Sequence, residues 1–171
     1  MRKEYKKVLI KEFTDKFLQC VNGFSKIEMR SPVGLSIFSK RIDHSERTMF
    51  VRLLPDSKRE AFTVEVGWTR PNPFPNALNY GQPSAGRTEF NRAEFVCRLG
   101  FLFGQNDHWW HIAPGLNPFT DDVLEFTKRS LEPISSAQAV SRIAPLVDDA
   151  INKLISFGLP YLDEYSRSSS S

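Results

Sequence analysis

The sequence predicts an α+β domain: an antiparallel sheet of about five or six strands, packed by an N-terminal helix and C-terminal helices. Three observations predict it. Residues 3–22 repeat apolar side chains every four positions. Ala61–Trp68, AFTVEVGW, alternates apolar and smaller or polar residues with period two. The chain after Thr120 returns to helical spacing. Period four marks a helix with one buried face, and period two marks a strand with one face buried and one more polar. Short polar links between the strand candidates favour antiparallel neighbours. The chain of 171 residues is long enough for one domain with a real core. We take residues 1–165 as that domain and 166–171, rich in serine, as a flexible tail.

In the first helix Tyr5, Leu9, Phe13 and Phe17 form the stripe, with Val8, Cys20 and Val21 widening it. Lys3, Lys6, Lys7 and Lys11 lie mostly off it. Asn22-Gly23 supplies the left-handed residue that ends many helices, and Phe24 can close the cap. Strands are expected over residues 24–30 (Ile27 and Met29 on one face), 35–42 and 48–54. In the last, Met49, Val51 and Leu53 alternate against Phe50, Arg52 and Leu54. Pro55-Asp56-Ser57 turns the chain into Ala61–Trp68. Glu94–Phe103 reads as a further strand, with Phe95, Cys97, Leu99, Phe101 and Phe103 on one face. His108–Ile112 reads as its short hairpin partner. Beyond them, Thr120 with Asp121 and Asp122 starts a helix that runs to about Leu131. Ser135-x-x-Gln138 is a capping box. Val140, Ile143, Val147, Ile151 and Leu154 form the last stripe. Pro145 is expected to kink or divide that helix, and Gly158 and Pro160 to stop it.

Composition narrows the function classes. Hydrophobic content of 40% with 14 phenylalanines is that of a globular core, because Phe carries no polar handle. Net charge is +3, unevenly placed: residues 1–60 hold 14 basic and 8 acidic side chains, residues 116–171 hold 5 and 8. Such asymmetry suits either a basic nucleic-acid patch or a basic first helix lying against the acidic C-terminal part, and the modest total favours the latter. Two cysteines make no disulfide framework, so reduced thiols and a cytoplasmic setting are expected. No run has the length and apolarity of a signal peptide or a membrane span, so no membrane partner is expected.

Each catalytic or metal candidate has a plainer reading. Asp107-His108-Trp109-Trp110-His111 holds two histidines and a carboxylate, but on a strand His108 and His111 point to opposite faces. Cys97 keeps step with large apolar residues, so it reads as core rather than nucleophile. Asp121-Asp122, Asp148-Asp149 and Asp163-Glu164 are adjacent acids, which diverge on a helix. Neither GxxxxGK[ST] nor GxGxxG occurs. We therefore assign no catalytic residue, no metal and no cofactor. An enzyme would need a polar pocket joining His108 or His111 to a carboxylate.

The surface singled out is the Pro71–Arg92 loop, with four prolines and interleaved aromatic and arginine residues. Loops this long are usually functional, and Arg and aromatics are enriched where binding energy concentrates. The candidate partner-binding residues are Arg70, Phe74, Tyr80, Arg87 and Arg92. The expected partner is an unidentified protein; nucleic acid is the alternative, through the lysine-rich helix and the loop arginines. A loop that only covers the sheet is the plainer reading.

The order of elements resembles small uncharacterised bacterial domains of unknown function: a lysine-rich helix ending at Asn22-Gly23-Phe24, a meander containing Phe62–Trp68, the Pro-rich loop and a C-terminal helix. Some proteins of that look lie near toxin–immunity or defence genes. The resemblance implies a toxin-neutralising or regulatory role and transfers no site residue.

Overall fold

The computed structural model describes residues 1–27, 36–42, 47–69, 80–104, 106–113 and 132–168. Helix α1 spans Lys3–Cys20. Six strands follow: β1 Ser25–Ile27, β2 Ser36–Arg41, β3 Thr48–Asp56, β4 Ala61–Thr69, β5 Phe95–Arg98 and β6 Trp110–His111. Two helices close the chain, α2 over Ser136–Lys153 and α3 over Leu159–Ser168. The sheet is antiparallel in the order β1-β2-β3-β4-β5. The short β6 pairs with β4 through Ala61 and Phe62, not with β5 as the sequence suggested. Strand β4 thus has β3 on one side and β5 and β6 on the other.

Alternation sets the faces. Phe62, Val64, Val66 and Trp68 of β4 stand beside Met49, Val51 and Leu53 of β3 and Phe95 and Cys97 of β5. Together with the buried stripes of α1 and α2 they form the main core. The first helix meets the sheet through aromatic stacking, with Phe17 3.9 Å from Phe38 between ring centroids. Phe24 does close the α1 terminus, edge-on to Phe17 at 5.8 Å. Trp68 is the hub of the other end, stacked on Tyr165 of α3 at 3.7 Å and touching Phe90, Phe95 and Tyr161. Each such ring contributes about 1.5–3 kcal/mol by leaving water. Basic α1 does lie against the acidic C-terminal part: Lys16 pairs with Asp148, and Glu4 accepts from Ser136.

The far face of the sheet departs from expectation. Every residue of β4 is buried, including Thr63, Glu65 and Gly67 on that face. Ile37, Phe50 and Val96 form a second, small apolar cluster there. Period two correctly separated the faces, but both are inside.

Other departures have local causes. Strand β3 runs through Pro55 to Asp56, whose carboxylate accepts from the backbone of Lys58 and Arg59; the turn is therefore later and tighter. Strand β5 stops at Arg98, and Leu99–Phe103 coils into a 3-10 helix. Gly100 allows this, since a Cβ there would lie 2.6 Å from the His108 backbone nitrogen. Cys20 is exposed rather than part of the α1 stripe, and Val140 is exposed on α2. The capping box at Ser135 and Gln138 is present. Pro145 sits inside a continuous α2. The irregularity comes later, in a wide π-type turn over Leu154–Gly158 that leads into α3. Gly158 is no stop signal: its missing side chain admits Leu154, Leu99 and Val66. The expected helix start at Thr120, Asp121 and Asp122 and the strand residue Met29 lie outside the described residues.

Gly67 is the tightest point of the sheet. A Cβ there would collide with the Phe95 carbonyl oxygen and lie 3.0 Å from Phe50. Gly67→Ala should therefore destabilise the fold by about 2–3 kcal/mol, read as a lower urea midpoint at unchanged slope.

Candidate functional site

On the far face the register places Arg52, Glu65 and Arg98 directly opposite one another across β3, β4 and β5. Glu65 has no exposed surface. A buried carboxylate requires a charged, hydrogen-bonded partner. Arg52 supplies it: its Nε donates to Glu65 Oε2 at 2.6 Å, and its Nη2 reaches the same oxygen at 2.6 Å. Nη2 also donates to the Tyr80 hydroxyl at 2.5 Å. Arg98 stands further off, its Nε 4.0 Å from Glu65 Oε1, and pairs outward with Asp107. Trp109 packs beside this row, with the guanidinium carbons of Arg98 and Arg59 5.0 and 5.6 Å from its ring centroid. Two buried polar atoms of the row have no hydrogen-bond partner among the described residues, Glu65 Oε1 and Trp109 Nε1.

Tyr80 joins this row to the surface. It is 53% exposed although its hydroxyl is held by Arg52. Partial burial and the nearby Glu65 charge push its phenol above the ordinary value, so it keeps its proton at neutral pH. Tyr80 also bridges to Val96, and Gly81 N–H donates to the Val96 carbonyl at 3.1 Å. The chain here runs along the edge of β5 and covers hydrogen-bonding groups that an open edge would present.

The segment that follows is fastened down. Arg87 has a positive φ of 52° and opens a 3-10 helix over Thr88–Asn91. Its guanidinium pairs with Glu164 at 3.3 Å and lies 4.9 Å from the Tyr161 ring centre. Phe90 joins the core, and Trp68 Nε1 donates to the Arg92 carbonyl at 3.1 Å. The Arg92 side chain is on the surface, 5.8 Å from the Phe95 ring. Thus, of the five candidate loop residues, Tyr80, Arg87 and Arg92 belong to a docked strap. Arg70 and Phe74 lie outside the described residues.

Buried Glu89 anchors the strap. It accepts from Ser84 Oγ at 2.6 Å, Ser84 N at 3.1 Å and the Tyr161 hydroxyl at 2.9 Å. Burial alone would raise its carboxyl pKa; the hydrogen bonds outweigh burial and hold it below the usual range. Burial pushes the Cys97 thiol and the Tyr161 phenol well up, so neither ionises at neutral pH and Cys97 is no nucleophile.

The histidines do not converge. His108 packs on Trp110 and Phe103, while His111 is exposed. Burial lowers the His108 pKa, leaving it neutral at pH 7. Asp149, the nearby carboxylate, is already engaged by Trp110 Nε1 at 2.8 Å and Lys153 at 3.2 Å. Among the described residues no three His, Cys, Asp or Glu side chains group as a metal site, and no helix is long and apolar enough to cross a membrane. His44 lies outside the described residues.

Sequence reading missed Arg52, Glu65, Arg98, Asp107 and Trp109. The signal was there: a hairpin closing at Asp56 and Ala61 forces Arg52 opposite Glu65. No family model, curated protein or solved structure matches the chain.

Two outcomes follow. Arg52→Leu should cost about 3–5 kcal/mol because Glu65 is left buried and unpaired, whereas Arg52→Leu with Glu65→Leu should recover part of that loss in a urea double-mutant cycle. Glu89→Gln should cost about 1.5–3 kcal/mol at pH 7, the range for hydrogen bonds to a charged group. A depressed folded-state pKa gives stability that is complete above the unfolded carboxyl value of about 4.3 and disappears as pH falls through the folded value. The wild-type advantage over Glu89→Gln should therefore shrink in urea titrations taken below pH 4.

Proposed function

We propose that this protein is a non-enzymatic interaction module, of a toxin-neutralising or regulatory kind, that binds a partner protein through the surface around Tyr80 and the strap behind it. The observation that carries the reading is Tyr80: an aromatic ring 53% exposed, yet fixed through its hydroxyl to a buried Arg–Glu pair. A side chain ordered in advance loses little conformational entropy on binding, and aromatic residues with Arg dominate interface hot spots. Arg87 and Arg92 follow it along the same strap. Binding acts by steric and electrostatic occlusion of the partner.

The alternative, nucleic-acid binding through α1 and the loop arginines, has weaker support. Arg52, Arg87 and Arg98 each pair with a carboxylate of this chain, as do Lys11 and Lys16 on α1. These pairs take up part of the basic charge that would otherwise release counterions from a phosphate backbone.

The test is affinity capture from native lysate, followed by binding measurements on whatever partner is retained. Tyr80→Ala should weaken that partner at least about 30-fold, the scale of a hot spot. Tyr80→Phe, which keeps the ring and loses the tether, should have a smaller effect. Unchanged binding of the variants Tyr80→Ala, Arg87→Ala and Arg92→Ala would remove the strap from the interface.

A further inference from the structure

We infer that the Arg52–Glu65–Arg98 row with Trp109 is a recognition site for an uncharged amide, presented by a partner as an Asn or Gln carboxamide or a main-chain peptide group. The inference rests on the protein-binding reading above and names the chemistry that the partner brings. Two atoms carry it. Among the described residues, Glu65 Oε1 is a buried acceptor without a donor, and Trp109 Nε1 is a buried donor without an acceptor. Both are exceptions to the rule that buried polar groups are hydrogen-bonded, and leaving such a group unpaired is destabilising.

The Arg98 guanidinium adjoins both, 4.0 Å from Glu65 Oε1 and 5.0 Å from the Trp109 ring centre. Arg98 is itself part-exposed and held from outside by Asp107. It is a long, flexible side chain, so its displacement is the route by which a group reaches Oε1.

Charge selects the ligand class. The buried Glu65 carboxylate is already neutralised by Arg52, and Arg98 and Arg59 flank the indole. A cationic donor meets three guanidinium groups. An anion meets Glu65 and offers it no proton. An amide supplies an N–H for Oε1 and a C=O for Nε1 on separate atoms and without net charge.

The test needs no partner, so its failure would leave the Tyr80 surface standing. The three indole N–H signals are followed by 15N NMR in the full chain, with Trp109→Phe identifying the Trp109 signal. Trp68 and Trp110 serve as internal controls, because Arg92 and Asp149 already accept from them. Acetamide should shift the Trp109 signal saturably and leave the other two in place. N,N-dimethylacetamide, which has no N–H for Glu65, should act at least tenfold more weakly, and methylammonium and acetate at matched ionic strength should not shift it. A Trp109 signal unmoved by acetamide, or moved equally by methylammonium or acetate, would overturn the assignment.

Discussion

Burial of β4 on both faces is the constraint from which the rest follows. In a strand with neighbours on both sides and no exposed residue, every polar group left unpaired is costly. Its helix-side residues are met by packing, with the Trp68 indole N–H donating to the Arg92 carbonyl. Its far-side residues include Glu65, and a carboxylate without water must be met by a cation. Arg52 and Arg98 stand in register on the two flanking strands because that is where a charge inside the sheet can be answered. The Arg52 contact then reaches on to Tyr80, so an internal electrostatic requirement fixes the position of a surface aromatic.

The helix side answers a different need. Trp68 gathers the strap and the last helix around one ring system, through Phe90, Tyr161 and Tyr165. Glu89 adds a hydrogen-bonded tie between the same two elements through Tyr161. The strap is thereby held by packing on one side of the sheet and by the Arg52 tether on the other. This geometry joins covering and display, which sequence reasoning had set against each other. Residues 84–92 are fastened into the body, and Tyr80 at their head stands out from it.

The architecture was legible where a pattern was strictly local. The α1 stripe, the parity of Met49, Val51 and Leu53, the β4 alternation and the Ser135–Gln138 box all follow from spacing along the chain. What eluded sequence reasoning depended on contacts between distant segments. Glu65 occupied a position that would face water in a sheet covered on one side only, so nothing marked it as buried. Reading Pro55-Asp56-Ser57 as the turn hid the register that opposes it to Arg52. Gly100 and Gly158 looked like punctuation, yet each is small because another segment passes close by. His108 and His111 drew attention as residue types, whereas the neighbouring Trp109 lies beside the charged row.

The wide turn at Leu154–Gly158 has a consequence for how this chain can vary. Successive helical residues advance by about 100°, so the turn sets the azimuth at which α3 departs. Tyr161 and Tyr165 meet Trp68 only at that azimuth. Losing or gaining one residue within 154–158 would swing both rings away from the indole, although every amino acid of α3 stayed the same. Chain length in this five-residue stretch is therefore as tightly constrained as the identity of any aromatic beyond it.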